Sequence, residues 1–154
     1  MTGCMRRFGT PTNQKSPLSH ANLLFILDSL VAQHTHDTLL FIMILLTGFY
    51  ALMRLGKLIF SDKKALRNYL KISLRHLVSF LPSCYSFFLP SHKGDHFFEG
   101  NTIVIQKINS LTDPYEPFSR YIASRDENPE LWLTSRGTVP TRHWFLSCLR
   151  AFFP

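Results

Sequence analysis

Residues 37–54 read DTLLFIMILLTGFYALMR, the apolar stretch on which the fold of this chain depends. Only 16 residues separate Asp37 from Arg54, and Thr47 and Gly48 interrupt them, whereas a membrane-spanning helix needs about 20 apolar residues. A helix that is apolar on every side also suits the centre of a compact domain. The stretch therefore predicts a buried core helix that opens at Asp37 and runs from Thr38 to Met53. Insertion of residues 38–53 in a bilayer is the alternative.

The composition of the whole chain is that of one basic, folded domain. Its 154 residues are 45% hydrophobic and include 14 phenylalanines, which is enough apolar material for a core and argues against disorder. The formal charge of +7 favours an anionic partner, either nucleic acid or a membrane surface. Three scattered cysteines, Cys4, Cys84 and Cys148, argue against a disulfide framework and predict a reducing compartment.

The N-terminus differs from the rest of the chain. Residues 1–17 contain glycine and proline without any apolar periodicity, so they predict a disordered or loop-like basic tail before a domain over residues 18–154. The first residues contain no apolar segment of the kind that secretory signals need, so no secretory signal is predicted.

Three further helices are predicted from their start signals. Ser19 suits an N-cap and predicts a helix near residues 19–32. Asp113, with Pro114 next and Glu116 three residues on, has the arrangement of a capping box. A last helix from about Thr141 has an apolar side made of Trp144, Phe145, Cys148, Leu149 and Phe152.

The middle of the chain contains strand signals. Residues 84–89 are aromatic-rich between two prolines, residues 103–105 are Ile-Val-Ile, and the glycines between them suit a long hairpin loop. The segment before them leaves two interpretations open. It could form a strand, from the alternation of Ile72, Leu74, His76 and Val78, or a helix with one basic face made of Lys64, Arg67, Lys71 and Arg75. The expected fold class is α+β, with helices packed against a small antiparallel three-stranded sheet.

Three stretches, taken in order, resemble the catalytic domain of tyrosine recombinases, the DNA breaking-rejoining enzymes, in the branch carried by fungal mobile elements. They are residues 46–58 (LTGFYALMRLGKL), 88–101 (FLPSHKGDHFFEGN) and 137–145 (GTVPTRHWF). The similarity runs from about Pro17 to Pro154. It implies an incomplete tyrosine-recombinase catalytic domain, its N-terminal half, with a role in DNA integration or recombination.

The resemblance implies a chemistry for two residues. In that family a tyrosine attacks a DNA phosphate, arginines stabilise charge on the phosphoryl oxygens, and a hairpin lysine protonates the leaving 5′-oxygen. Arg54 matches a clamp arginine, since a guanidinium can contact two phosphate oxygens at once. Lys93 matches the hairpin lysine. The candidate DNA-binding residues are Arg54, Lys93, His92, Lys63, Lys64 and Arg67.

The departures from the family pattern concern the reaction itself. Lys57 stands where the family usually has a carboxylate and is expected to repel Arg54. No His-x-x-Arg follows Lys93, and no tyrosine occurs in the last 33 residues. Without that nucleophile no covalent intermediate forms. The expectation is therefore a truncated, nuclear, recombinase-like protein that binds the DNA backbone without cleaving it alone. Its partners would be DNA and the missing half of a recombinase.

Simpler structural explanations stand beside these assignments. Arg54 could be a cation that favours a helix C-terminus through the macrodipole, and Lys93 could be an ordinary turn lysine. His92 and His96 are four residues apart, but Gly94 between them indicates a loop, so neither a metal site nor a cofactor is predicted. His34 and His36 are interpreted as linker residues. A chain that fails to fold stably is the third possibility, after the recombinase-like and membrane-associated ones.

Overall fold

The computed structural model describes residues 16–33, 35–90, 100–124 and 128–154. Over these residues the protein is α+β, with four α-helices and one antiparallel three-stranded sheet in the order β1-β2-β3, so this expectation is confirmed. The elements are α1 (His20–Leu30), α2 (His36–Tyr50), β1 (Ser79–Leu81), β2 (Cys84–Leu89), β3 (Asn101–Gln106), α3 (Tyr115–Ala123) and α4 (Arg142–Arg150).

Helix α1 begins where its sequence predicted. The Ser19 hydroxyl accepts a hydrogen bond from the Asn22 amide at 3.2 Å, and the Ser19 amide donates to the Asn22 side chain at 2.8 Å. This reciprocal capping box satisfies two donors at the helix start. Its buried residues are Leu23, Ile26 and Leu30.

Helix α2 is the centre of the core, as predicted. Its residues from Leu39 to Thr47 are all buried, which accounts for the absence of a polar side in the sequence. The N-cap is Thr35, whose hydroxyl accepts from the Thr38 amide at 3.1 Å, so Asp37 lies in the first turn rather than opening the helix. Among the described residues, no helix has the length and hydropathy that crossing a membrane requires.

The end of α2 corrects the predicted helix boundary. The helix stops at Tyr50 rather than Met53, because the chain turns through Leu52, which adopts a φ of 51°. The Met53 amide donates to the Gly48 carbonyl at 2.9 Å and the Leu52 amide to Phe49 at 3.3 Å, which is a Schellman motif. A left-handed leucine is unusual, since glycine normally takes this place.

The segment from Phe60 to Val78 is neither the predicted helix nor the predicted strand. It consists of short 3₁₀ turns at Lys64–Leu66, Tyr69–Lys71 and Arg75–Leu77. Ser73 is the one fully buried residue in this segment, so the segment has no apolar face around which a regular element could pack. Both interpretations of the alternating and basic patterns are therefore wrong.

The sheet confirms the two predicted strands and adds a short one. Strand β2 pairs antiparallel with β1 and with β3, and its alternate residues Tyr85, Phe87 and Leu89 are buried. Gly100 precedes β3 with a φ of 71°, and a Cβ there would lie 2.7 Å from the Leu89 carbonyl oxygen, so this hairpin requires glycine.

Helices α3 and α4 both contribute residues to the core. The predicted capping box at α3 takes a different form: the Asp113 carboxylate accepts from the Tyr115 amide at 3.2 Å, while the cap residue Pro114 makes no side-chain bond. Helix α4 starts as predicted, because the Thr141 hydroxyl accepts from the Trp144 amide at 3.3 Å. All five residues of its predicted apolar side belong to the core or pack against it.

Candidate phosphate-binding site

A cavity of about 590 Å³ lies beside the core, between the segment that follows α2 and the start of α4. Backbone hydrogen bonds hold its walls. The Phe60 amide donates to Pro140 and the Arg142 amide to Phe60, both at 2.9 Å, and the Leu131 amide donates to Ser73 at 2.9 Å. The lining residues are Leu55 to Ser61, Leu66, Asn68, Lys71, Ile72, Ser73, Trp132, Val139, Arg142 and Leu146.

All of the charged residues in the described lining of this cavity are positively charged. Lys57, Lys71 and Arg142 line the cavity, and no acidic residue is among the lining residues that the structure describes. Burial, followed by the positive charges of Lys71 and Arg54, lowers the pKa of Lys57. Lys71 and Arg54 therefore lie close enough to Lys57 for their positive charges to oppose its own. We call this space, with Lys57, Lys71 and Arg142 in its wall, the cationic cavity.

Two residues that line the cationic cavity, Ser73 and Trp132, each have a buried side-chain polar atom. The Ser73 hydroxyl and the Trp132 indole nitrogen are on residues that are each 2% exposed, and neither has a hydrogen-bond partner among the described residues. The Trp132 ring itself packs against Phe87, Phe118 and Tyr121. Buried polar groups are nearly always paired in folded proteins, because an unpaired one costs about 1–3 kcal/mol.

Arg54 lies next to the residues that line this cavity. It is not at the end of α2, where the sequence placed it, because α2 ends at Tyr50. It is exposed, adopts an extended conformation, and precedes the 3₁₀ turn Leu55–Lys57. Among the described residues its guanidinium makes no hydrogen bond. The last turn of α2 contains no basic residue, so the macrodipole explanation does not apply. Burial is the main cause of the lowered pKa of Lys57, and the positive charges of Lys71 and then Arg54 add to it, which is the direction that the expected repulsion implies.

The other predicted DNA-binding residues divide into three kinds. Lys63 and Lys64 are exposed at the next turn. Arg67 is structural: its Nε donates to the Ser61 carbonyl at 3.0 Å, its Nη2 donates to the Asp62 carbonyl at 3.3 Å, and it lies over the Phe60 ring. Arg67 thereby stabilises the loop that contains Lys63 and Lys64. His92 and Lys93 lie outside the described residues.

The interpretation of His36 as a linker residue is wrong. Its Nδ1 lies 2.8 Å from the Ser124 hydroxyl and its Nε2 lies 2.8 Å from the Leu133 carbonyl, so it ties the start of α2 to the loop that carries Trp132. His34 lies outside the described residues. In the described part of the chain, no three His, Cys, Asp or Glu side chains are grouped as metal ligands would be.

Sequence reasoning found Arg54 and the two exposed lysines but missed the cavity. From the sequence, Lys71 was considered only as part of a basic helical face. Ser73, Trp132 and Arg142 are far apart in sequence, and only the backbone contacts at Phe60 and Ser73 bring them to one wall. No protein-family model, curated protein or solved structure matches the chain.

Proposed function

We propose that this chain is a tyrosine recombinase-like protein that binds duplex DNA through its phosphate backbone and does not cleave strands on its own. The observation that carries the proposal is the placement of Arg54. Arg54 is exposed just after the buried helix, close enough to Lys57 for its charge to act on that residue. Among the described residues it has no carboxylate to neutralise it, and such a group binds a phosphate well.

The order of the elements supports this proposal. The three stretches that resemble the family fall, in order, at the end of the buried helix α2 with Arg54, at the end of β2 and the first residue of β3, and at the start of α4. Lys63 and Lys64 extend the positive surface along the chain from Arg54. A net charge of +7 adds the long-range attraction on which binding to the DNA backbone depends.

The environments of the tyrosines support the absence of cleavage. The hydroxyls of Tyr50, Tyr85, Tyr115 and Tyr121 are hydrogen-bonded within the fold, to Thr112, Thr47, Leu81 and Leu131 respectively. Burial, more than any other cause, raises the pKa of Tyr85, which opposes the formation of a nucleophilic phenolate. Tyr69 is the exposed tyrosine, with its ring against Phe60. It stands in none of the three stretches that resemble the family.

The binding claim is tested with a fluorescently labelled duplex by anisotropy at increasing salt. We expect affinity that falls steeply as salt rises, because each neutralised phosphate releases counterions. Tight binding that salt leaves unchanged, or no binding at low salt, contradicts the proposal.

The cleavage claim is tested separately by incubating the purified chain with supercoiled plasmid. We expect neither nicked circles nor a covalent protein–DNA adduct. The variant Tyr69→Phe serves as the control, since any adduct that it abolishes would identify Tyr69 as a nucleophile and refute the claim of inactivity.

The bilayer alternative has no comparable support. Residues Leu39 to Thr47, which it would place among lipids, are the most deeply buried segment of the core. Insertion would expose the faces of the sheet and of α3 that pack around this segment.

A further inference from the structure

We propose that residues 62–71 form a docking surface for an anionic lipid bilayer, with the side chains of Leu66, Tyr69 and Leu70 entering the headgroup region. We call this segment the basic loop. The inference goes beyond the proposed DNA binding. It concerns contact with the surface of a bilayer and not insertion of a helix, because α2 stays in the core of the protein.

Almost the whole basic loop faces solvent. Arg67 is its one residue that is not exposed. The apolar side chains are as open as the polar ones, since Leu66 is 68% exposed, Tyr69 67% and Leu70 86%. Neighbouring apolar side chains that stay exposed on a folded protein mark a surface that binds a partner or a membrane.

The end of the basic loop folds back on its start. The Tyr69 ring lies edge to face on the Phe60 ring, with 5.0 Å between the ring centroids. The Leu70 amide donates to the Asn68 side chain at 3.0 Å, which fixes the turn that carries Leu70. Leu66 is four residues before Leu70, so their Cα atoms lie within about 14 Å of each other. One flat surface can therefore contact both leucines.

The charges of the basic loop suit an anionic surface. Lys63, Lys64 and Lys71 are exposed, and none of them forms an ion pair with a described residue. The one acid of the loop is Asp62, whose carboxylate accepts a hydrogen bond from the His143 amide at 2.7 Å. Asp62 is thereby held at the start of α4. Lysines next to an anionic bilayer each add to the attraction between protein and membrane.

The apolar side chains favour a bilayer over duplex DNA as the partner of this loop. Phosphates and sugars form the outer surface of a duplex, so a duplex would pair with the lysines and leave Leu66 and Leu70 in water. A bilayer interface accepts both kinds of residue, because apolar side chains enter the acyl boundary while cations lie among the headgroups. Tyr69 suits the same boundary, since its ring is apolar and its hydroxyl is polar.

The test sediments the full chain with two kinds of vesicle. One kind contains phosphatidylserine and phosphatidylcholine in equal parts, and the other contains phosphatidylcholine alone. We expect the chain to bind the anionic vesicles and to bind the neutral ones far more weakly, because neither the leucines nor the lysines suffice alone. A chain that stays in the supernatant with anionic vesicles, or binds both kinds equally, would overturn the proposal.

A pair of leucine variants tests the apolar contact. Leu66→Ser/Leu70→Ser should weaken binding to anionic vesicles about tenfold or more, because two apolar side chains no longer leave water. The control Val31→Ser/Leu111→Ser replaces two exposed apolar side chains elsewhere and should leave the affinity unchanged. All four positions are exposed, so urea unfolding should be nearly the same in both variants. Equal losses of vesicle binding in the two variants would contradict the assignment to this loop.

A pair of charge variants tests the lysines. Lys63→Gln/Lys64→Gln should weaken binding to anionic vesicles about tenfold, because two cations next to the headgroups are lost. The control Arg136→Gln/Arg150→Gln removes the same charge from two exposed residues outside the loop and should retain most of the affinity. If the two variants lose affinity equally, net charge binds the lipid and the basic loop does not.

The leucine variant also separates this inference from DNA binding. Leu66→Ser/Leu70→Ser keeps every cation, so it should bind a labelled duplex as well as the unchanged chain does. A loss of duplex affinity as large as the loss of vesicle affinity would assign the loop to DNA and overturn the proposal. Vesicle binding without any duplex binding would contradict the proposed function and support the bilayer contact.

Discussion

The aromatic core and the cationic cavity lie side by side and share Trp132, yet they are built in opposite ways. In the core, the rings of Tyr85 and Phe118 stack at 4.1 Å, and Trp132 packs against Phe118 and two further rings. In the cavity lining, Lys57 and Lys71 lie close enough for their positive charges to act on each other. Ring packing stabilises a fold, whereas neighbouring like charges oppose it.

The largest expected effect is the loss of an aromatic ring from the core. Phe118→Ala removes a fully buried ring between Tyr85 and Trp132 and should lower the free energy of unfolding by about 3–5 kcal/mol. Urea denaturation measures this loss. The control Leu111→Ala changes a residue that is 90% exposed and should cost less than about 0.5 kcal/mol. Similar losses in the two variants would contradict the assigned core.

The second-largest expected effect concerns the hydroxyl of Tyr85, which is buried in the aromatic core. Burial, as the main cause, raises the pKa of Tyr85 well above its ordinary value of 10.0. Below about pH 10 the folded and unfolded states both keep this proton, so the residue adds no pH dependence there. Above that pH the unfolded state loses the proton first, and the free energy of unfolding should fall as pH rises.

Tyr85→Phe should remove that alkaline loss and cost about 1 kcal/mol near neutral pH, where Thr47 loses its partner. Unfolding curves at about pH 8 and about pH 11 measure both quantities. The control Tyr69→Phe removes an exposed hydroxyl and should retain the alkaline loss. If the free energy of unfolding of Tyr85→Phe still falls at alkaline pH as it does in the unchanged chain, then Tyr85 is not the source of that loss.

The smallest effect should come from the cavity. Lys71→Glu replaces one of the charges that lower the pKa of Lys57 with an attractive one. It should raise the free energy of unfolding by a few tenths of a kcal/mol, and about 1 M salt should abolish the gain. The control is Lys64→Glu, at an exposed position of the neighbouring turn. A destabilised Lys71→Glu, or a gain that persists in high salt, would contradict the repulsion.

The contrast between the packed core and the loops around the cavity also explains which elements could be predicted from the sequence. Helices α2 and α4 and strand β2 have apolar patterns that face the core, so their existence and approximate positions were predicted correctly. Strand β3 was predicted from its β-branched run, although Ile105 is its one fully buried residue. The end of α2 was misplaced because nothing in the sequence around Leu52 announces a left-handed residue. The turns between Phe60 and Val78 have no apolar face, and their mixed pattern matched two regular elements without forming either.

The candidate site was only half predictable for a related reason. Arg54 could be named because it stands in a recognisable stretch of sequence, and its exposure agrees with that assignment. Ser73 and Arg142 could not be named, because short backbone contacts between distant loops, each of two hydrogen bonds, position these segments. Arg67 was assigned to DNA from its charge alone, although the carbonyls of Ser61 and Asp62 hold its guanidinium in place.

The most direct test of the proposed function is the salt dependence of DNA binding by Arg54→Gln. We predict that this variant binds duplex DNA more weakly and that the slope of log affinity against log salt falls by about one relative to the unchanged chain, as expected for one lost phosphate contact. The control Arg136→Gln, which removes an equal charge from an exposed turn, should keep the slope. An unchanged slope in Arg54→Gln would show that Arg54 does not contact the DNA backbone and would contradict the account.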